Sequence, residues 1–148
     1  MFIGKYYFNL EEKGRLSLPK EFRQNNDSWI VTRGLDGGLF LYRENDFEKQ
    51  LEKLLSRTFT KKIHRDFVRL LTNEAKSITP DKNGRVQLPE YLISFANLKK
   101  AVVVVGSLEK IEIWDRDIYH NYIDTIESTA EEIAERLEEN EQTHNSAT

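Results

Sequence analysis

The strongest constraint on the fold of this chain is that its sequence carries one pattern twice. Glu11-Glu12-Lys13-Gly14-Arg15-Leu16-Ser17-Leu18-Pro19 aligns with Asp81-Lys82-Asn83-Gly84-Arg85-Val86-Gln87-Leu88-Pro89 at an offset of 70 residues. Further on, Ile30-Val31-Thr32-Arg33-Gly34 matches Val102-Val103-Val104-Val105-Gly106, and Leu39-Phe40-Leu41-Tyr42 matches Ile111-Glu112-Ile113-Trp114. The offset there is 72, a change that two extra loop residues supply. Chemistry is kept in place across more than thirty positions, so the chain reads as two copies of one module, at 5–47 and 75–119.

Each copy predicts the same local structure. Tyr6 to Leu10 leads into a turn at Lys13-Gly14, after which Leu16 and Leu18 alternate with Arg15 and Ser17. Period-two alternation on either side of a glycine turn signals a β-hairpin. The turn of the second copy, Asn83-Gly84, uses two residues that tolerate positive φ. Pro19 and Pro89 suit the first turn of a short helix, where a missing N–H costs nothing. Phe22 in one copy, and Leu92, Phe95 and Leu98 in the other, can then face a core. A second hairpin follows in each copy, from Trp29–Thr32 to Leu39–Tyr42 and from Val102–Val105 to Ile111–Trp114.

Helices complete the α+β pattern. After an N-cap at Asn45-Asp46, apolar residues fall at Phe47, Leu51, Leu54 and Leu55, and they recur at Ile63, Phe67, Leu70 and Leu71 after a cap at Thr58 or Thr60. These linker helices occupy 48–74. Tyr119, Tyr122, Ile126, Ala130, Ile133 and Leu137 predict one long amphipathic helix over 120–139 with an acidic outer face, and 140–148 reads as a disordered polar tail.

Composition narrows the function. Residues 1–114 hold 20 Lys+Arg and 15 Asp+Glu (net +5), whereas 115–148 hold 2 and 10 (net −8). A mildly basic body therefore carries an acidic end, which the whole-chain charge of −3 conceals. There is no cysteine, which excludes disulfides and thiolate metal sites and fits a cytoplasmic location. His64, His120 and His144 lack ligand spacing. The N-terminus turns polar too early for a signal peptide, and the run from Ala101 to Gly106 is far too short to span a bilayer. No phosphate-binding glycine loop and no nucleophile elbow is present. The expectation is a non-enzymatic protein with no catalytic residue, metal, cofactor, small-molecule substrate or membrane partner.

The repeated unit acid-x-x-Gly-Arg is the candidate site. An arginine beside a hairpin tip can reach a DNA groove, where its planar fork bonds guanine O6 and N7 or clamps phosphate. Glu11 and Asp81 stand four residues before Arg15 and Arg85 and are candidates to orient them. The alternative is a surface ion pair that only staples each hairpin, worth about 0–1 kcal/mol. Lys13 and Lys82 are candidate phosphate contacts or plain solubilising turn residues. Arg57, Lys61, Lys62, Arg65 and Arg69 form a basic cluster whose default reading is a solvated helix face. Phe40, Tyr42, Trp114 and Tyr119 read as core aromatics.

At these residues the chain resembles the MraZ family. The resemblance runs from Met1-Phe2-Ile3-Gly4 through the Gly14-Arg15 motif, Thr32-Arg33-Gly34-Leu35-Asp36-Gly37 and Asp81–Pro89 to Ile111-Glu112-Ile113-Trp114, and covers about 1–137. It implies two tandem AbrB-like (SpoVT-AbrB) swapped-hairpin β-barrel modules forming an intrachain pseudo-dimer, with peripheral amphipathic helices. It implies a sequence-specific repressor of the bacterial division and cell-wall operon, bound to double-stranded DNA, associated with the nucleoid and assembled as a ring-shaped homo-oligomer. The family's Asp-x-x-x-Arg motif maps onto Asp81 and Arg85. In the first copy Arg15 matches, but Glu11 stands in place of Asp. The rival expectation is an AbrB-fold protein-interaction module, an antitoxin-like partner binder.

Overall fold

A computed structural model describes residues 1–23, 28–56 and 60–146, and its strands pair mostly between the repeats. Repeat one supplies β1 (Lys5–Asn9), β2 (Arg15–Ser17), β3 (Trp29–Arg33) and β4 (Leu39–Arg43). Repeat two supplies β5 (Lys76–Ile78), β6 (Arg85–Gln87), β7 (Ala101–Ser107) and β8 (Lys110–Asp115). Six strands form one antiparallel sheet in the order β1-β7-β8-β4-β3-β5, and β2 and β6 form a separate two-stranded ribbon. Exchanging the repeats turns the sheet order into its own reverse, so the body has the pairing of a two-fold pseudo-dimer.

The second hairpin of each repeat forms as expected, β3 with β4 and β7 with β8. The first does not. β1 and β2 join only through a bridge between Glu11 and Arg15. β1 instead pairs with β7 of the other repeat, Tyr6 opposite Val104 and Phe8 opposite Val102. β5 pairs reciprocally with β3, Trp29 opposite Ile78. β4 and β8 join the halves, Leu39 opposite Ile113 and Leu41 opposite Ile111. Four of the six pairings thus cross between repeats: β1 with β7, β5 with β3, β2 with β6 and β4 with β8. Together the repeats make one compact unit, Met1–Arg116.

The core lies between the ribbon and one face of the sheet. Leu16 and Val86 stand opposite each other in the ribbon, both fully buried, flanked by Leu18 and Leu88. They meet Val31, Leu39, Leu41, Val102, Val104, Ile111 and Ile113 in one cluster. Full burial stabilises each such aliphatic side chain by about 1.5–3 kcal/mol. Alternate residues of the same strands face the other way. There Phe40 and Tyr42 pack with Phe47 of α1 (Glu44–Ser56) and Leu71 of α2 (Lys62–Asn73). Ribbon and linker helices therefore lie on opposite faces of the sheet. Phe22 and Leu92 enter the core as expected, but Phe95, in α3 (Glu90–Phe95), stays 37% exposed, with the Arg33 guanidinium 4.6 Å above its ring.

Helix boundaries differ from expectation. α1 begins at Glu44, its N–H donating to the Ser28 carbonyl, so Asn45 and Asp46 lie inside the helix. α2 follows Lys61 with no side-chain cap. The Thr60 carbonyl accepts from Arg65, and Thr58 lies outside the described residues. Only part of the expected stripe is covered, since Leu55, Ile63 and Leu70 remain exposed. The C-terminal segment is two helices, α4 (Arg116–Glu127) and α5 (Ala130–Ser146). At the break the Ser128 and Thr129 hydroxyls donate to the Thr125 and Ile126 carbonyls and compete with helical bonding. α5 runs past 140, where a disordered tail was expected. Residues 140–146 contain neither Gly nor Pro, and the Thr143 hydroxyl bonds the Glu139 carbonyl.

Candidate nucleic-acid interface

The ribbon brings the two repeated motifs together on one surface. Register places Arg15 opposite Gln87 and Ser17 opposite Arg85. Leu16 and Val86 point into the core, so these four polar side chains share the outward face. The arginines are diagonal neighbours, a relation in which residues stand roughly 7–8 Å apart, somewhat less at Cβ. They were expected on two separate tips. Cross-repeat pairing makes them one two-stranded element, of the width a major groove admits.

The two ends of the ribbon share a backbone frame. Glu11 N–H donates to Arg15 O and Asp81 N–H to Arg85 O, both at 2.8 Å. Leu18 N–H donates to Gly84 O at 3.3 Å, and Leu88 N–H to Gly14 O at 2.9 Å. Within that frame the turns differ. Asp81 Oδ1 accepts from the N–H groups of Asn83 (2.9 Å) and Arg85 (3.0 Å), an Asx-type closure that leaves only Gly84 at positive φ, +76°. Glu11 makes no such closure, and both Lys13 (φ +63°) and Gly14 (φ +74°) are left-handed. The second turn was expected to use two left-handed residues; the first does so instead, because the longer acid does not cap it.

Glu11 does something else. Its Oε2 accepts from Arg85 Nη1 of the other repeat at 3.3 Å, while Arg85 Nε donates to Asp81 Oδ2 at 3.0 Å. Arg85 is thus held by two carboxylates, one from each repeat. The Glu11 hydrogen bond, then that of Asp81, raises the Arg85 pKa further, so the guanidinium stays charged. Bonding to the Arg85 backbone N–H holds the Asp81 carboxyl below the usual carboxylate range. Among the described residues the Arg15 guanidinium has no hydrogen-bond or ion-pair partner. The expected pairing of Glu11 with Arg15 is therefore absent, and Arg15 is the available cation. Lys13 and Lys82 are exposed on the turns, and Lys13 O accepts from Gln87 Nε2 at 3.0 Å.

Sequence reasoning missed Arg23. Its side chain lies against Gly84, where an added Cβ would meet it, and its Nη1 donates to Asn83 O at 3.4 Å. Its Nε is buried with no hydrogen-bond partner among the described residues. The offset of 70 makes Ile93 its counterpart, and Ile93 Cδ1 lies against Gly14 in the same way. One end of the ribbon thus rests on a cation and the other on a methyl group. A groove of about 800 Å³ opens beside the Gly14 end, lined by Lys13, Lys76, Gln87 and Ile93 among others. The basic cluster of α2 lies on the opposite face of the sheet. Lys62 and Arg69 both pair with Asp66 there, and Arg57 lies outside the described residues. Among the described residues no three His, Asp or Glu side chains are grouped to hold a metal, and no helix is long and apolar enough to cross a membrane.

A family model for the MraZ protein, described as antitoxin-like, matches twice in tandem, over residues 1–70 and 71–141. The chain belongs to the MraZ family. The two matches divide the chain between the repeats, so each MraZ unit contributes one strand to the ribbon and one arginine to its outer face.

Proposed function

We propose that this MraZ-family chain is a non-enzymatic, sequence-specific DNA-binding transcriptional regulator. In this reading it represses the bacterial division and cell-wall operon, works in the cytoplasm at the nucleoid, and reads repeated promoter boxes as a ring-shaped homo-oligomer of swapped-hairpin barrels. The observation that carries the reading is the outward face of the β2–β6 ribbon, where Arg15, Ser17, Arg85 and Gln87 stand side by side on a rigid, core-anchored element. Two-stranded ribbons enter the major groove, and arginine reads guanine there. The body's net charge of +5 over 1–114 is modest, so specificity rests on these few groups and on avidity through the assembly.

Arg15 engages directly, whereas Arg85 must exchange a carboxylate for a base or phosphate. The test is fluorescence anisotropy against the region upstream of the protein's own operon and against scrambled DNA, across a salt series. Wild type should prefer the operon sequence. Arg15→Ala should remove most of that preference and lower the salt slope by about one. Equal binding of both DNAs by wild type, or unchanged binding by Arg15→Ala/Arg85→Ala, overturns the proposal. The family's antitoxin-like description favours a second reading, capture of a partner protein. A stoichiometric partner recovered without DNA preference would support it.

A further inference from the structure

The groove between α1 and α2 is an apolar slot of about 270 Å³ lined by Leu54, Leu55, His64, Arg65, Val68 and Arg69. Leu55 is half exposed, and Ile63 and Leu70 on the same helix pair are 73% and 47% exposed. The slot lies on the face of the sheet away from the ribbon, so the proposed DNA site does not use it. The charged residues that line it, Arg65 and Arg69, are basic, although α1 itself carries Glu44, Asp46, Glu48 and Glu52 against Lys49 and Lys53. α2 carries Lys62, Arg65 and Arg69 against the single carboxylate of Asp66, and Lys61 precedes it.

α5 has the opposite character. Its 17 residues include Glu131, Glu132, Glu135, Glu138, Glu139 and Glu141 against one arginine, Arg136. Ile133 and Leu137 form a short apolar stripe, 41% and 61% exposed. One internal ion pair, Arg136 to Glu132 at 2.8 Å, braces it. Most of the stability of a helix in a protein comes from packing its apolar stripe against another surface.

We propose that α5 of one copy docks in the α1–α2 slot of a second copy, Ile133 and Leu137 filling the slot while its glutamates face Arg65, Arg69 and Lys61. The fit is between a narrow stripe flanked by carboxylates and a narrow slot flanked by cations. Such a contact is heterologous, since the donated helix and the accepting slot are different surfaces, and repetition of it builds a closed ring or an open filament. The inference rests on the oligomer in the proposed function, names the surface that forms it, and is independent of DNA binding.

The absence of cysteine gives a clean test. Full-length Val68→Cys and Leu137→Cys chains, differently tagged, are mixed, allowed to exchange and mildly oxidised. A second pair, Leu55→Cys with Ile133→Cys, covers a one-turn difference in seating. A disulfide-linked heterodimer that forms only when both chains of a pair are present is expected. Light scattering on Arg65→Glu/Arg69→Glu should show loss of assembly, restored by adding Glu138→Lys/Glu141→Lys. An intact oligomer with no heterodimer from either pair overturns this inference alone. In a single chain carrying both Val68→Cys and Leu137→Cys, a disulfide within the chain and none between chains also overturns it. A monomeric wild type overturns the oligomer as well.

Discussion

Arg23 and Gly84 offer the sharpest test of how the ribbon is held. Gly84 sits at φ +76°, a conformation that costs an L-residue about 1–2 kcal/mol. A Cβ there would fall on the Arg23 guanidinium and lie 2.9 Å from Arg23 Cδ. Gly84→Ala must therefore strain the turn and also displace Arg23 from its 3.4 Å bond to Asn83 O. Such a bond contributes about 0.5–1.5 kcal/mol, which brings the expected cost to about 1.5–3.5 kcal/mol. In an Arg23→Ala background the second part vanishes, and Gly84→Ala should cost only the strain. Urea denaturation of the four proteins at one concentration gives the cycle, with a coupling of about 0.5–1.5 kcal/mol expected. Gly14→Ala is the control. Its Cβ would lie 2.7 Å from Ile93 Cδ1 and 2.9 Å from the Leu88 carbonyl oxygen. Ile93→Ala clears only the first of these, so much of the cost should persist. Additive costs for Arg23 and Gly84 would refute the seating of this cation beneath the tip.

Three further outcomes follow from the ribbon. Glu11→Gln removes a carboxylate from the DNA-facing side while Asp81 still orients Arg85, so anisotropy should show tighter binding to operator and scrambled DNA alike, by roughly threefold, the scale of one screened surface charge; weaker binding to both would mean that Glu11 is needed to position Arg85. Lys13→Asn places a residue tolerant of left-handed backbone at φ +63° and should stabilise the fold by about 0.5–1 kcal/mol in thermal melts while lowering the salt slope of DNA binding; an unchanged slope would remove Lys13 from the phosphate contacts. The Asp81 carboxyl titrates below its unfolded value, so its contribution is complete above the unfolded pKa and is lost as pH falls through the folded one. Exchange protection of the Arg85 amide should accordingly fall on acidification below about pH 4 in wild type, and should be low at all pH values in Asp81→Ala.

What the sequence made legible follows from what a repeat encodes. The offset of 70 exposed both Gly-Arg motifs, and alternation assigned Leu16 and Val86 to the core and Arg15 and Arg85 to the surface. Alternation gives a strand its faces but not its partner. The β1–β7 and β2–β6 pairings, and with them the union of the two arginines on one ribbon, could not be read from it. The bond from Arg85 to Glu11 spans 74 residues and has no local signal. Arg23 was passed over because attention to the repeat favours residues present in both copies, and its counterpart is Ile93. A search for positions where the copies differ in charge would have found it. The break between α4 and α5 was legible in Ser128-Thr129, whose hydroxyls offer the backbone an alternative to helix.

The crossed pairing of β1 also sets a timetable for synthesis. Lys5 finds its partner at Val105, so the first strand leaves the ribosome about 100 residues ahead of the edge it completes. At roughly 5–20 residues per second it waits many seconds in a half-formed state. During that wait Tyr6 and Phe8 have no native strand beside them, and any strand from another nascent chain offers the same hydrogen bonds. Close spacing of translating ribosomes on one message would then favour exchange of β1 between chains, and spacing them apart would favour the intrachain form. The expected consequence is that the yield of correctly folded chains varies with translation tempo as well as with stability.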